Sequence, residues 1–357
     1  MKYEVETMSV CQHCYRHTPA KTFEKDNSIW MTKTCLEHGT STHLIEPDAD
    51  FYLSYNYKRL ALKSYLIEVT NRCNLSCPHC YQMPNNLSRD PTIDDLLGLI
   101  KQWPDDGYPL SLCGAEPTIR KDLPEIINAI KALPGKPRGK IMILTNGVNL
   151  SNEEYAKKFV GLDVTWTIGL NHPSYQGPVV RKKQMEGIKN CINLGLKIKN
   201  ISYTLLDMSQ LEYCLDEMQQ FEENICEQFR VRCGANIGRS PIDSTKIFLS
   251  DLVKSVKEHC NKKNWHFESL TNGNRAHMSA IINGKFVKII QWPDAETLDL
   301  GEVQTEAIAD ILPGMLPSPL VHQVILRDYA INKGLPLYDT IPQEWIENYG
   351  RIKDYNK

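Results

Sequence analysis

The sequence predicts an α/β fold built on a mostly parallel sheet, and three observations support this prediction. Short apolar runs of strand length alternate with amphipathic stretches of helix length between residues 60 and 240. The alternation repeats five or six times, which is typical of successive βα units. Right-handed crossovers between such units would curl the sheet into a full or partial barrel.

Each predicted element follows from its own residue pattern. Apolar runs bounded by turn residues predict six strands, at 65–70, 108–114, 140–147, 164–170, 198–206 and 229–236. Apolar residues at helical spacing predict five intervening helices, at 92–103, 122–133, 152–162, 181–195 and 210–224. The first helix begins after Thr92, a good N-cap residue, and the fourth helix ends at Gly195.

The segment before this core differs from it in composition. Residues 1–55 are polar and rich in turns, with little apolar periodicity. A segment this short has a small core and usually depends on a bound metal ion for stability. We expect a small metal-binding domain here, containing a two-stranded hairpin that turns at Asp26-Asn27.

The segment after the core predicts an α+β cap. A helix is expected at 249–263, followed by a hairpin at 277–292 that turns at Asn283-Gly284. A tail interrupted by prolines follows. The predicted domains are therefore a metal-ribbon domain (1–55), a barrel (60–240) and a C-terminal cap with the substrate region (245–357).

Composition and charge argue against a nucleic-acid-binding protein and a membrane protein. The 357 residues include 41 Lys and Arg and 43 Asp and Glu, a formal net charge of −2, so bulk charge does not favour a nucleic acid or an anionic membrane. No apolar run approaches the roughly 18–20 residues that a membrane span needs. The first ten residues have no apolar signal core. We expect a cytoplasmic protein without a membrane partner.

Twelve cysteines in a reducing compartment indicate metal ligands and core thiols rather than disulfides. Three of them, Cys73, Cys77 and Cys80, form a CxxxCxxC pattern directly after the first strand. Barrel enzymes place their chemistry at that end of the strands. Three thiolates can hold three irons of a [4Fe–4S] cluster and leave the fourth iron open. A zinc site or chance spacing is the alternative.

In this loop and in two further motifs the chain resembles the radical S-adenosylmethionine (SAM) enzymes. The second strand ends in "CGAEPT" (113–118), which is similar to the GGE motif of that superfamily, and the third ends in "TNG" (145–147). The resemblance covers roughly residues 62–240. It implies a partial (β/α)6 barrel in which SAM completes the cluster. One electron then splits a carbon–sulfur bond, usually giving a 5′-deoxyadenosyl radical that abstracts a hydrogen atom from the substrate.

The resemblance also implies which residues contact SAM. Glu116 would accept a hydrogen bond from the SAM ammonium group, and Gly114 would let the backbone approach the ligand. His79 stands where the superfamily often has an aromatic residue, and Tyr81 could supply a ring instead. The expected cofactor-binding residues are Tyr81, Gly114, Ala115, Glu116, Asn146 and Asn171.

Two short motifs near the N-terminus predict a second metal site. "CQHC" (11–14) and "CLEH" (35–38) offer Cys11, Cys14, Cys35 and His38, a set typical of a structural zinc ribbon. A second iron–sulfur cluster or a rubredoxin-like iron is the alternative, and His13 and His17 are competing donors. The segment has lysines but no dense basic stripe, so nucleic-acid binding is not expected.

A ribbon before a radical SAM core resembles one subgroup of the superfamily. That subgroup includes archaeal enzymes that methylate pterin precursors or join lipid chains. Those enzymes are longer and carry further cysteine motifs that this chain lacks, so their substrates do not carry over. Arg230, Arg232 and Arg239 cluster about the sixth strand, and one of them could pair with the SAM carboxylate or take an ordinary surface or ion-pair role.

The expected function is radical chemistry on a small-molecule substrate, begun by reductive cleavage of SAM. One alternative is transfer of a SAM aminocarboxypropyl or methyl group to an acceptor, as in small relatives that include the arsinothricin-pathway enzyme acting on arsenite. Another is a non-catalytic iron–sulfur or zinc protein. The expected partner, besides the substrate, is an electron donor such as flavodoxin or ferredoxin.

Overall fold

The structure is a computed structural model of the chain. It describes residues 3–13, 17–54, 64–80, 84, 86–87, 89–101, 109–134, 140–234, 246–274, 277–291, 296–297 and 307–309. These residues form two sheets, one of four strands and one of ten. None of the helices in this part of the chain is long and apolar enough to cross a membrane.

The four-stranded sheet is antiparallel, and its strands pair in chain order. They are β1 (Glu4–Val10), β2 (His17–Lys25), β3 (Ser28–Cys35) and β4 (Gly39–Glu46). The predicted hairpin is confirmed as β2 and β3, because Asp26 and Asn27 both adopt positive φ, as a tight two-residue turn requires. Helix α1 (Ala49–Ser54) packs Tyr52 against Ile29 of β3.

The ten-stranded sheet contains the predicted six parallel strands in chain order, which confirms the βα alternation. The strands are β5 (Ser64–Glu68), β6 (Leu110–Cys113), β7 (Ile141–Thr145), β8 (Val164–Gly169), β9 (Lys197–Leu205) and β10 (Gln228–Cys233). The intervening helices are α2 (Ile93–Ile100), α3 (Leu123–Lys131), α4 (Glu153–Lys157), α5 (Gly177–Asn193) and α6 (Leu211–Gln220).

Three helix boundaries differ from the prediction by four residues or more. Helix α6 ends at Gln220 rather than at residue 224, because Phe221 after it adopts an extended backbone. Helix α4 has five residues, because the chain after Lys157 tightens into turns closed by bonds between residues three apart and ends at Gly161 with φ +82°. Helix α5 begins at Gly177, four residues before the predicted start. Pro178 in its first turn has the φ that a helix start requires.

The main hydrophobic core lies between the strands and their helices. Alternate strand residues, such as Trp166, Ile201 and Val231, are buried in it. The opposite face of the sheet, called the inner face below, is more polar. On β8, β9 and β10 it carries Thr165, Thr167, Asn200, Ser202, Thr204, Arg230 and Arg232.

The C-terminal elements extend the same sheet at both edges. They are α7 (Leu249–Lys263), β11 (Phe267–Asn274), β12 (His277–Ile282), β13 (Lys285–Ile290) and β14 (Ala307–Ala309). Strand β13 pairs in parallel with β10, and β14 pairs in parallel with β5. The predicted helix and the hairpin turn at Asn283-Gly284 are confirmed, with both turn residues at positive φ. Most of the predicted cap after residue 297 lies outside the described residues.

A buried carboxylate joins the four-stranded sheet to helix α7. Glu46 is 2% exposed, its Oε2 accepts a hydrogen bond from Ser250 N at 3.3 Å, and its Oε1 accepts from Ser250 Oγ. Nearby, Lys246 Nζ donates to Leu44 O at 3.0 Å. Glu46 therefore caps the first turn of a helix that comes about 200 residues later in the chain.

Replacing Glu46 is expected to change how stability depends on pH. Burial raises the pKa of Glu46 to about 7, partly opposed by the Ser250 hydrogen bonds. The native state therefore retains a proton that the unfolded state releases above its ordinary pKa of 4.5, so stability falls as pH rises from about 5 to 7.5. The free energy of unfolding should fall by about 1–3 kcal/mol over this pH range. Glu46→Gln should flatten this dependence in denaturant unfolding at pH 5.5 and pH 8.

The matched control is Glu186→Gln, which makes the same change at an exposed position of α5. It should leave the pH dependence of wild type unchanged. Equal slopes for Glu46→Gln and wild type would show that Glu46 does not titrate in this range.

Candidate active site and metal centre

The three-cysteine loop follows β5 and lies beside the loop that follows β6. Val69 N donates to Cys113 O at 3.0 Å, Ala115 N donates to Thr70 O at 2.9 Å, and Glu116 N donates to Arg72 O at 3.0 Å. These bonds continue the pairing of the two strands beyond their ends. They place the GGE-like motif directly against the start of the cysteine loop.

Side-chain hydrogen bonds fix the backbone that leads into this loop. Arg72 makes a two-point contact with Asp90, and Thr70 Oγ1 donates to Asp90 Oδ1 at 2.6 Å. Arg120 is buried and donates to Val69 O at 2.9 Å. Because each of these donors bonds to a defined acceptor, the backbone leading to the cysteines is held before any ligand binds.

The three thiols are partly buried. Cys73 Sγ accepts a hydrogen bond from Leu75 N at 3.3 Å, and Cys77 Sγ accepts one from Gln176 Nε2 at 2.7 Å. Burial raises the pKa of Cys73 to about 12 and that of Cys77 to about 11, and the negative charge of Glu116 adds to both shifts. Thiolates here therefore need a bound positive centre, which the irons of a cluster supply.

The sulfur atoms of Cys73, Cys77 and Cys80 do not all lie within 4.8 Å of one another, so they are too far apart to be three ligands of one ion in this structure. Among the described residues, only Cys11, Cys35 and His38 offer three ligand atoms that all lie within 4.8 Å of one another. Three ligands of one zinc ion must meet that limit. In a cubane each cysteine binds a different iron, so its sulfurs lie further apart.

Glu116 lies at the end of β6 and is 1% exposed. Its Oε1 accepts hydrogen bonds from Thr118 N at 3.0 Å, Thr118 Oγ1 at 2.5 Å and Thr145 Oγ1 at 2.6 Å. Its Oε2 accepts one, from Asn146 N at 2.6 Å. The carboxylate is thus fixed by the ends of two strands, and Oε2 can accept one more hydrogen bond.

The charge of Glu116 has no cationic partner among the described residues. Burial raises its pKa, and the hydrogen bonds from Asn146, Thr118 and Thr145 oppose that shift. Burying a carboxylate without a cation is costly, and a positively charged ligand group offsets the cost. The ammonium group of SAM fits this requirement.

Amide side chains tie the end of β7 to its neighbours. Asn146 Nδ2 donates to Asn74 Oδ1 at 2.8 Å, and Asn74 Nδ2 donates to Asn149 Oδ1 at 3.2 Å. From helix α5, the buried Gln184 donates to Asn146 O at 2.9 Å and to Gly169 O at 3.0 Å. The "TNG" turn is therefore bonded both to the cysteine loop and to the end of β8.

Asn171, Gly114 and Tyr81 are further residues that the sequence predicts to contact SAM. Asn171 is buried, and its Oδ1 accepts a hydrogen bond from Thr204 N at 3.0 Å, which leaves its Nδ2 as a donor. Gly114 adopts φ +119°, a conformation that favours glycine. Tyr81 lies outside the described residues.

Sequence reasoning missed the residues between β8 and α5. Gln176 reaches Cys77, and the Tyr175 ring lies 4.8 Å from the His79 ring, centroid to centroid. Burial lowers the pKa of His79 to about 3, and the positive charge of Arg232 adds to this shift, so the imidazole is neutral. The position of this segment, just after a strand and before a helix start at Gly177-Pro178, is the signal that could have found it.

Three residues of the N-terminal motifs, Cys11, Cys35 and His38, form a candidate metal site. His38 Nδ1 lies 3.7 Å from Cys11 Sγ and 3.5 Å from Cys35 Sγ. A tetrahedral zinc ion would hold such a sulfur and nitrogen roughly 3.6 Å apart. Burial would raise the pKa of Cys35, but hydrogen bonds from the His38 side chain and nearby backbone amides outweigh it and lower that pKa to about 7. Cys14 lies outside the described residues.

Comparison with known protein families matches two segments of the chain. Residues 67–213 match the radical SAM superfamily. The chain contains a radical SAM domain. Residues 3–47 match the HMPTM N-terminal zinc ribbon domain, so a zinc ribbon domain precedes the radical SAM domain. The family resemblance predicted from the motifs is confirmed.

Two curated relatives and one solved structure are similar to this chain. The chain is 27% identical over 232 residues to 7,8-dihydro-6-hydroxymethylpterin dimethyltransferase of Methanocaldococcus jannaschii, covering 54% of this chain and 45% of that protein. It is 30% identical over 154 residues to a probable GTP 3′,8-cyclase of Methanococcus aeolicus, covering 41% and 51%. The matched segments span about half the length of these relatives. Streptococcus suis SuiB bound to S-adenosylmethionine gives a TM-score of 0.45 at 16% identity, covering 69% of this chain and 53% of SuiB.

Proposed function

We propose that the protein is an enzyme that uses a [4Fe–4S] cluster and SAM to begin radical chemistry on a small-molecule substrate. The observation that carries this proposal is the contact between the three-cysteine loop and the buried Glu116 at adjacent strand ends, within the matched radical SAM domain. The names of the two curated relatives, which specify a pterin and GTP, support a small-molecule substrate.

In this proposal Cys73, Cys77 and Cys80 would bind the cluster, and SAM would bind the iron that has no protein ligand. When bound, the cluster supplies the electron that cleaves a carbon–sulfur bond of SAM. The hydrogen bonds from Leu75 N and Gln176 stabilise two of the thiolates. Hydrogen bonds to cluster sulfurs also influence the reduction potential.

The described residues proposed to hold SAM follow the ends of neighbouring strands. Glu116 Oε2 would accept a hydrogen bond from the ammonium group, and Asn146 and Asn171 would contact other parts of SAM. Gly114 and Ala115 supply backbone that can approach SAM closely, and Tyr81 supplies a ring. Fixing these groups before SAM binds would limit the entropy lost on binding.

The decisive experiment is product analysis. Protein reconstituted anaerobically with iron and sulfide is incubated with SAM and dithionite, and the adenosyl product is identified by mass spectrometry. We expect 5′-deoxyadenosine. 5′-Methylthioadenosine would instead support aminocarboxypropyl transfer. Absence of both, without a SAM-induced change in the EPR signal of the cluster, would support a non-catalytic binding protein.

Glu116→Gln is expected to weaken SAM binding by about 10–100-fold, because a charge-assisted hydrogen bond contributes about 1.5–3 kcal/mol. Iron content should stay unchanged. SAM affinity is measured by titration of the EPR signal. Glu125→Gln, at an exposed position of α3, is the matched control. Wild-type SAM affinity in Glu116→Gln would contradict the assignment. Thermal unfolding of the variant shows whether weaker SAM binding comes instead from a general loss of structure.

Zinc is proposed for the ribbon, with Cys11, Cys14, Cys35 and His38 as its four ligands. The sulfur–nitrogen distances and the ribbon match support this choice. We place the reaction in the reducing cytoplasm, where thiols remain free to bind metal. A flavodoxin or a ferredoxin is proposed as the electron donor.

A further inference from the structure

Two cations lie side by side on the inner face where the added hairpin joins the barrel. Arg230 of β10 is the register partner of Lys288 of β13. Their sequence neighbours Val231 and Val287 point the other way, into the core. Both cationic side chains are half-buried on the inner face.

The charges on this face influence one another. Burial lowers the pKa of Arg230 to about 10, and Arg232 adds to the shift. Burial also lowers the pKa of Lys288, with Arg230 and Lys199 as further causes. On β12, burial together with Lys288 and Arg230 lowers the pKa of His277 to about 4. The inner face here therefore has a positive potential.

No acidic side chain among the described residues lies within ion-pair distance of Arg230 or Lys288. Arg230 bonds to the neutral amide of Gln228. In the orientation that satisfies both groups, the Gln228 oxygen accepts from Arg230 Nε at 2.6 Å and from Nη2 at 2.8 Å, which leaves the Nη1 side of the guanidinium for a ligand. The carboxylate of Glu68 belongs to the same face but to β5, with four strands between it and β10. Like charges opposed in register are destabilising, and a bound anion would remove that cost.

This cationic pair lies close to the proposed SAM site. Arg232, two residues after Arg230 on the same face, donates from Nε to Thr204 Oγ1 at 2.9 Å. The backbone amide of Thr204 donates to Asn171 Oδ1 at 3.0 Å. A molecule anchored on Arg230 and Lys288 would thus extend toward the proposed SAM site.

We propose that Arg230 and Lys288 form a subsite that binds a phosphoryl group of the substrate. The inference rests on the proposed function, because it assigns the substrate of that same enzyme to phosphorylated small molecules. A guanidinium group binds phosphate oxygens in a two-point geometry, and an ammonium group adds a point charge. Several cations on one face match a dianionic group better than a single carboxylate.

The test measures binding of inorganic pyrophosphate to the reconstituted holoenzyme by calorimetry, with saturating SAM present. Wild type should bind pyrophosphate more tightly than malonate. Arg230→Gln and Lys288→Gln should each weaken pyrophosphate binding by about tenfold or more. Lys254→Gln removes one positive charge from an exposed position of α7 and should bind like wild type. SAM affinity, measured in parallel, reports whether a substitution disturbs the neighbouring site.

Three results would overturn the inference: no pyrophosphate binding, binding that both substitutions leave unchanged, or equal affinity for malonate. Its failure is separable from failure of the proposed function. Pyrophosphate binding that responds to both substitutions, in a protein that does not cleave SAM, would refute the function and support the subsite. SAM cleavage without pyrophosphate binding would support the proposed function and refute the subsite. Using two single variants keeps the test valid if one of them does not fold.

Discussion

Cys77→Ser is expected to lose most of its iron and all detectable SAM cleavage. The substitution removes one of the three proposed protein ligands of the cluster, and it removes the sulfur that accepts the hydrogen bond from Gln176. Iron should fall from about four atoms per chain to less than about one. Zinc should remain at about one atom per chain, because the ribbon ligands lie on the other sheet. Elemental analysis of anaerobically reconstituted protein measures both metals.

Cys35→Ser is the matched control, since it changes one thiol of the other metal centre. It should lose zinc and keep its iron. Loss of iron in this variant, with zinc absent from wild type, would show that the ribbon binds iron instead, as a rubredoxin-like site does. Retention of a full complement of iron in Cys77→Ser would rule out the three-cysteine loop as the cluster site.

Gly114→Ala is expected to destabilise the protein by about 3 kcal/mol or more. A methyl group at this position would overlap the Thr70 carbonyl oxygen, and the backbone there has φ +119°. Thr70 O also accepts the hydrogen bond from Ala115 N, so relief of the overlap would separate the cysteine loop from the strand that carries Glu116. Denaturant unfolding should show the loss of stability, and iron content after reconstitution should fall as well.

Gly161→Ala separates backbone strain from steric overlap. Gly161 also has a positive φ, +82°, but no atom lies near its added methyl group. This variant should lose only about 1 kcal/mol. If Gly114→Ala were no less stable than Gly161→Ala, the close contact with Thr70 would have no energetic importance.

The sequence predicted the six barrel strands and their order because each is a short apolar run next to an amphipathic helix. It also predicted α7 and the Asn283-Gly284 turn, since caps and turns depend on local residue types. Strand β4 was missed. Its residues "GTSTHLIE" are mostly polar and partly exposed, so pairing with β3 determines its conformation. The attachment of β13 to β10 was missed for a similar reason, since nothing local to a hairpin specifies which sheet edge it joins.

The candidate site likewise contains some residues that local sequence could predict and others that it could not. Cys73, Cys77, Cys80 and Glu116 belong to motifs with fixed spacing, so their proximity could be expected from the sequence. Gln176 could not, because an amide in a loop becomes informative only when its distance to Cys77 is known.

The Glu46–Ser250 contact bears on the order in which the protein is assembled. The two residues are 204 positions apart, and the barrel strands lie between them in the chain. During synthesis the ribbon emerges first, yet the surface that Glu46 covers does not exist until helix α7 has left the ribosome. The contact between Glu46 and helix α7 therefore cannot form until the barrel strands between them have been made, and the Glu46 side chain stays hydrated until then.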